Sequence, residues 1–199
     1  MTPDELKFSS IKDNHKHGTV GKFLQDNIDV EANLSIVSAY FTIYAYEKLK
    51  DQLNSIEHLR FLFGEPTFIK SIDPAKLNTR DFKIEDDSLV VPINSKLTQK
   101  ALAKECSNWI SKKVDIKSMV KPNFLHGKLY LIENSNGVKE AVMGSSNFTV
   151  SGLGLGGSPN IELNMVIQDR RDLEDLTHWF NELWANTDGL VEDVKEQVI

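Results

Sequence analysis

The distribution of apolar and polar positions divides the chain into short apolar runs and longer amphipathic segments. Runs rich in apolar, β-branched and aromatic residues are typical of strands buried in a sheet. Six segments have this character. The sequence therefore predicts strands over residues 34–41, 58–64, 114–120, 124–132, 139–148 and 161–167.

Other segments repeat their apolar residues with the period of an α-helix. A helical pattern begins at Thr42, and a second helix is predicted over 95–113, with an apolar face of Leu97, Ala101, Leu102, Cys106, Trp109 and Ile110. A third helix is predicted after Asp169, a residue type that caps helix N-termini. Its predicted buried face consists of Leu173, Leu176, Trp179, Phe180 and Leu183.

Strands that alternate with helices favour a layered α/β domain built on a mixed sheet. A length of 199 residues is sufficient for one such domain, and we predict a single domain over 1–199. The proline-containing segment 65–95 is predicted to be an insertion. The chain ends in VEDVKEQVI with no stop signal, which leaves open that it is the N-terminal part of a longer protein.

Charge and composition exclude some classes of protein. A formal net charge of -6 argues against a surface coated for non-specific nucleic-acid binding, although it permits a local basic cleft. The single cysteine, Cys106, is predicted to be a structural thiol, which fits a reducing, cytoplasmic compartment. The polar N-terminus lacks the pattern of a signal peptide, and no apolar run approaches the roughly 20 residues of a membrane helix. We therefore expect no membrane association.

Polar pairs interrupt three of the apolar segments. Positions i and i+2 of a strand lie on the same face, and burying an unpaired charge there is costly. If the three strands are neighbours, these pairs form one polar pocket. The pairs are His126 with Lys128, Ser145 with Asn147, and Glu162 with Asn164.

The residue types in this pocket suit chemistry at a phosphate group. Lys128 and Asn147 offer a charge and an amide donor to phosphate oxygens, and the Ser145 hydroxyl adds another donor. Glu162 can accept a hydrogen bond from one imidazole nitrogen of His126, which leaves the other nitrogen free to act. An imidazole oriented in this way can attack phosphorus or carry a proton.

These motifs resemble those of the phospholipase D superfamily, also called HKD enzymes. The similarity consists of H-x-K at 126–128, G-S-x-N at 144–147 and the downstream Glu162, and SIVSAYFT and LRFLFG resemble early strands of that fold. The chain is most similar to the nuclease branch: bacterial endonucleases and restriction enzymes with one motif per chain, and related domains fused ahead of helicases. The resemblance implies an αβα sandwich, with a mixed β-sheet flanked by helices on both faces.

The resemblance also implies a mechanism without metal or cofactor. His126 would attack the phosphodiester to give a phosphohistidine, a second histidine would protonate the leaving oxygen, and Lys128 and Asn147 would stabilise the developing charge. DNA is expected as substrate in preference to RNA. The family places an aspartate where this chain has Glu133. That acid is expected to be structural.

The chain contains a single H-x-K and G-S-x-N set, whereas the two-step chemistry needs two histidines. We therefore expect a homodimer with a shared active site, and a fused or associated helicase or ATPase domain is a further expectation. His15 and His17 resemble a metal clip but are interpreted as solvated; His58 and His178 are interpreted as structural.

Two other functions remain open. The domain could bind DNA or phosphate without catalysis, as the targeting domain of a helicase or restriction complex. It could alternatively be a lipid phosphodiesterase, although the chain shows no amphipathic membrane-binding segment.

Overall fold

The computed structural model describes residues 10–64 and 95–198. The insertion predicted for 65–95 therefore lies outside the described residues, except for residue 95. The described residues form one eight-stranded sheet with the order β1-β7-β6-β5-β2-β3-β4-β8. Its strands are β1 Ile11–Lys12, β2 Asn33–Ser38, β3 His58–Phe63, β4 Val114–Met119, β5 Lys128–Glu133, β6 Lys139–Gly144, β7 Asn164–Ile167 and β8 Val191–Asp193.

The helices of the described residues are α1 Val20–Asn27, α2 Ile43–Lys48, α3 Lys50–Ser55, α4 Ser95–Lys113, α5 Arg170–Ala185 and α6 Lys195–Val198. Helix α4 begins and ends where the sequence predicts it. Thr42 caps α2, since its side chain accepts a hydrogen bond from the Ala45 amide. Asp169 caps α5 by accepting from two main-chain amides, so both predicted helix starts are confirmed.

The sheet is mixed. Strands β2, β3 and β4 are parallel, whereas β5, β6 and β7 follow β2 in antiparallel order. Ser38, Phe63 and Met119 end the three parallel strands at one edge of the sheet, which we call the carboxyl edge. Strand β5 begins there at Lys128. The loops that carry the predicted site residues therefore leave the sheet at this edge.

Both faces of the sheet are covered by helices, as predicted. Along β5, Tyr130 joins a core that includes residues of α1, α2, α3 and α4, whereas Leu129 and Leu131 join a second core under α5. Phe180 of α5 is fully buried in this second core. Burial on both faces explains why the central strands are continuously apolar rather than alternating.

Two positions assigned to apolar helix faces are wrong. Ala101 is exposed, because it lies off the stripe that the buried Cys106 belongs to. Trp179 is 40% exposed at the flank of α5, and Trp184 instead packs against the core and stacks on Phe180, with ring centroids 5.6 Å apart. Cys106 is structural as predicted: it is buried, and burial raises the pKa of its thiol to about 12.

Candidate active site

The site residues lie at strand ends on the carboxyl edge, or in the segments that leave it, rather than in the middle of strands. The strand predicted over 124–132 begins only at Lys128, the one predicted over 139–148 ends at Gly144, and the one predicted over 161–167 begins at Asn164. His126 is exposed, because the segment before Lys128 runs over the surface. The prediction that His126 lies within a buried strand is therefore wrong.

The three polar segments are nevertheless neighbours. Lys128 is paired in register with Gly144, and Gly144 with Asn164, so these residues form one row across β5, β6 and β7. The motif residues lie on this row or just beyond it. The glycine is needed here, because a Cβ at Gly144 would overlap the carbonyl oxygen of Leu163 on the adjacent segment.

Lys128 is linked to the histidine of its own motif through the main chain. Its Nζ donates a hydrogen bond of 2.9 Å to the carbonyl oxygen of His126. Among the described residues, the His126 imidazole has no hydrogen-bond partner. The imidazole is thus exposed, and the Lys128 ammonium group contacts the main chain of the same residue.

Glu162 contacts Ser145 rather than His126. The Ser145 hydroxyl donates to Glu162 Oε2 and accepts from the Leu163 amide at 3.0 Å. The hydrogen bond predicted from His126 to Glu162 is thus not formed in this structure, where the Ser145 hydroxyl contacts the Glu162 carboxylate. The neighbouring Tyr130 hydroxyl donates to the Ser146 carbonyl oxygen. Burial is the larger cause that raises the pKa of Tyr130, and the charge of Glu162 is the smaller one, so the Tyr130 hydroxyl remains protonated.

The buried side chain of Asn164 holds the G-S-x-N segment, residues 144–147, in place. It is 1% exposed, and its Oδ1 accepts from the Ser146 amide at 3.0 Å. Its Nδ2 donates to Ser146 Oγ and to the Lys12 carbonyl, both at 2.9 Å. Glu162 and Asn164, the pair predicted to share a face, thus contact two consecutive serines. Glu162 contacts Ser145, and Asn164 contacts Ser146.

Asn147 is oriented by the end of β2. Its Oδ1 accepts from the Ala39 amide at 3.1 Å and from Ser38 Oγ at 3.3 Å. Since the oxygen is occupied, Nδ2 is the part of the amide left to meet an anion. Ser38 also accepts from the Phe148 amide at 2.9 Å. The role of Ser38 was not predicted from the sequence, although this residue ends an apolar run at the point where β2 leaves the sheet.

Glu133 lies at the opposite edge of the sheet, at the far end of β5 from Lys128. It pairs with Lys139 at 3.2 Å beside a cleft of about 230 Å³, whose lining also includes Arg60. Arg60 is held by Ser35 Oγ at 2.8 Å. Glu140 also lines this cleft: its Oε1 accepts from Gln168, whereas its buried Oε2 has no hydrogen-bond partner among the described residues. The motif residues lie elsewhere, and the candidate site is an open surface at the carboxyl edge.

The described residues contain no group of three or more histidine, cysteine, aspartate or glutamate side chains that could hold a metal ion. Within the same ranges, no helix combines the length and the apolar character needed to cross a membrane.

Comparisons with known proteins agree on the fold. Residues 32–184 match the family model described as "Cardiolipin synthase, PLD-like domain". The structure resembles polyphosphate kinase from Porphyromonas gingivalis, with a TM-score of 0.58 and 9% identity over 97% of this chain and 25% of that chain. This chain therefore spans about a quarter of that enzyme.

A second solved structure, TrmBL2, is an archaeal chromatin protein described as binding DNA. It has a TM-score of 0.43 and 11% identity over 90% of this chain and 54% of that chain, too low a score to indicate a common fold. No curated protein sequence matches this chain.

The family match covers the row of Lys128, Gly144 and Asn164 as well as His126 and Asn147. Members of this superfamily are typically phosphoryl-transfer enzymes. The family match, the mixed sheet between two helical layers and the motif segments at its carboxyl edge agree: the chain belongs to the phospholipase D superfamily.

Proposed function

We propose that this protein is a metal-independent nuclease that cleaves DNA through a phosphohistidine on His126. The observation that carries the proposal is the exposed His126 imidazole beside Lys128, at the edge where the amide of Asn147 is oriented. The single H-x-K set, which resembles the nuclease branch, supports DNA as the substrate.

In the first step, a ring nitrogen of His126 attacks phosphorus. A P–N bond forms and the P–O bond to the leaving group breaks, while a second histidine gives its proton to the leaving oxygen. Lys128 Nζ and Asn147 Nδ2 donate to the non-bridging oxygens as their negative charge grows. We further propose that Ser145 turns to the phosphate in this complex, which frees Glu162 to accept from His126.

In the second step, water attacks phosphorus and the P–N bond breaks. The second histidine, now neutral, takes the proton of the water, so both histidines return to their starting states. The products are an alcohol and a phosphate monoester.

We propose that the second histidine is His126 of another copy. An exposed apolar surface next to Glu162 supports this: Ile161 is 77% exposed and Leu163 is 68% exposed. Met165 continues the surface and pairs with Met143 on β6, and both are about half exposed. Apolar surface of this kind is typical of interaction sites. Its position suits a second copy, since the site needs one to be complete.

Replacing Ile161 and Leu163 by serine is expected to shift the protein from dimer to monomer and to lower its specific activity in parallel. Serine removes apolar area without adding a charge that would repel substrate. Light scattering and activity across one dilution series test this. The control Val138→Ser changes an apolar residue that is 50% exposed at the opposite edge and should alter neither quantity. A fully active monomer would refute the shared site.

DNA cleavage is expected to continue in EDTA, because Lys128 supplies the cation that a metal ion would otherwise provide. Plasmid, single-stranded DNA, RNA and phosphatidylglycerol vesicles are incubated with purified protein, with and without EDTA. A strict requirement for divalent metal would contradict the mechanism. Binding without cleavage would indicate a targeting domain, and hydrolysis of lipid alone would indicate a lipid phosphodiesterase.

A further inference from the structure

An aspartate–histidine pair outside the H-x-K set lies near the carboxyl edge. His17 Nδ1 and Asp13 Oδ2 are 2.7 Å apart, and Asp13 Oδ1 accepts from the amides of His15 and His17, both at 2.9 Å. Burial alone would raise the pKa of Asp13, but the hydrogen bonds from His17 and His15 outweigh it and hold the pKa far below its ordinary value. The carboxylate is therefore ionised, Nδ1–H donates to it, and Nε2 of His17 is left for a ligand.

The turn that carries this pair, residues 13–18, is fixed in place. Asn14 is buried with a left-handed φ of 60°, and its Nδ2 donates to the Gly152 carbonyl at 2.7 Å. Its Oδ1 accepts from the Val20 amide at 3.2 Å. Gly18, at φ 87°, closes the turn through a 3.0 Å bond from the Asn14 amide to its carbonyl. The turn is thus held against the loop that follows the G-S-x-N motif.

The turn adjoins the candidate site on the side away from Lys128. The Glu162 amide donates to the Asp13 carbonyl at 3.1 Å, and Lys12 pairs in register with Asn164. The row that begins at Lys128 therefore ends at Lys12, three strand spacings away, or about 14 Å. A polynucleotide strand presents a phosphate about every 3.4 Å along a duplex axis. The distance between Lys128 and Lys12 is therefore long enough to span more than one phosphate of a bound strand.

The charge of the turn differs from that of the whole protein. The chain carries a net charge of -6. In the turn, by contrast, His15 and Lys16 are exposed beside His17, and the one carboxylate, Asp13, is engaged internally. An oriented imidazole next to an exposed ammonium is suited to an anionic ligand.

We infer that the 13–18 turn is a second phosphate subsite, which holds the nucleic-acid backbone beside the scissile phosphate. Lys16 Nζ and, in its imidazolium form, His17 Nε2 donate to non-bridging oxygens of a flanking phosphate. The inference rests on the proposed nuclease function, since both sites bind one strand.

Binding by the full chain with His126→Ala, which prevents cleavage, tests the subsite. Fluorescence anisotropy compares a labelled dinucleotide with a labelled single-stranded 12-mer over a range of salt concentrations. Adding Lys16→Ala and His17→Ala should weaken 12-mer binding about tenfold. It should also reduce the slope of log affinity against log salt by about 0.7 for each phosphate that the protein no longer neutralises. Dinucleotide binding, which lacks the flanking phosphate, should change far less.

Matched controls separate this role from a structural one. Lys104→Ala with His178→Ala removes the same residue types from exposed positions on α4 and α5 and should leave 12-mer binding unchanged. His17→Arg keeps a cation and should bind the 12-mer within about twofold of the parent. If the double variant does not fold, the single variant Lys16→Ala at an exposed position is tested instead, and its affinity for the 12-mer should fall about threefold.

Unchanged 12-mer affinity and salt slope in the variants would overturn the subsite, and cleavage by the otherwise wild-type chain would show that the proposed function survives. If the wild-type chain neither binds nor cleaves nucleic acid, the proposed function fails and the subsite with it. A slower single-turnover rate in a His17→Ala chain with His126 intact, at unchanged affinity, would make His17 an acid–base residue and would also overturn the subsite.

Discussion

Replacement of His126 by alanine is expected to reduce phosphodiester cleavage by about 10³-fold or more, with no loss of folding stability. The imidazole is exposed, and the main-chain carbonyl to which Lys128 donates is kept in the variant. The substitution therefore removes the proposed nucleophile and little else. Single-turnover cleavage of a labelled oligonucleotide measures the loss, and a thermal melt checks the fold.

Two variants serve as controls for that result. Glu133→Asp restores the family's usual acid at the opposite edge and should keep most of the activity, since the residue lies at the far end of β5 from Lys128 and pairs with Lys139 there. His178→Ala removes an exposed histidine from α5 and should be fully active. Wild-type cleavage by His126→Ala would refute the assignment of the nucleophile.

Replacement of Asn164 by alanine is expected to lower the free energy of unfolding by about 3 kcal/mol and to impair cleavage as well. The variant leaves the amide and hydroxyl of Ser146 and the carbonyl of Lys12 without the partners they have in the native structure. It also releases the segment that positions Asn147. Urea unfolding measures the stability change through the midpoint and slope.

Asn136→Ala is the matched control for Asn164. Asn136 also accepts a hydrogen bond from a main-chain amide, that of Val138 at 2.9 Å, but it lies in an exposed hairpin turn. Its replacement should cost less than about 1 kcal/mol. Equal urea midpoints for Asn164→Ala and the wild type would show that Asn164 does not support the motif.

The central elements of the fold could be predicted because burial determines their sequences. Strand β3 and helix α4 begin and end at or within one residue of their predicted ends. The apolar run of β5 reflects two cores, one on each face of the sheet. Short edge elements were missed, since β1 and β8 have only two and three residues, too few for a periodic pattern.

Strand ends could not be predicted, because they depend on where a neighbouring strand stops. The apolar character of Phe124 extended the predicted strand before Lys128, yet Phe124 is 56% exposed in a surface segment. The strand predicted over 139–148 likewise ends early, because Gly144 is the last paired residue of β6 and the G-S-x-N motif continues past it. Pairing is a property of the sheet, so these limits appear only in three dimensions.

Motif spacing predicts which residues form the candidate site, but it does not predict their contacts. The sequence predicts that Glu162 orients His126, whereas the structure pairs Glu162 with Ser145. The supports of the site, Ser38 and Asn164, act through main-chain amides of distant segments. No local pattern encodes such contacts, since they form only when β2, β6 and β7 assemble.

The most direct test of the mechanism is to trap the covalent intermediate. Wild-type protein is mixed with an oligonucleotide in EDTA and quenched under alkaline conditions within one turnover, and intact and peptide masses are then measured. We expect a nucleotidyl or phosphoryl adduct on His126 that is labile to acid and absent from His126→Ala. Cleavage that proceeds without an adduct on His126 at any quench time would contradict the phosphohistidine mechanism.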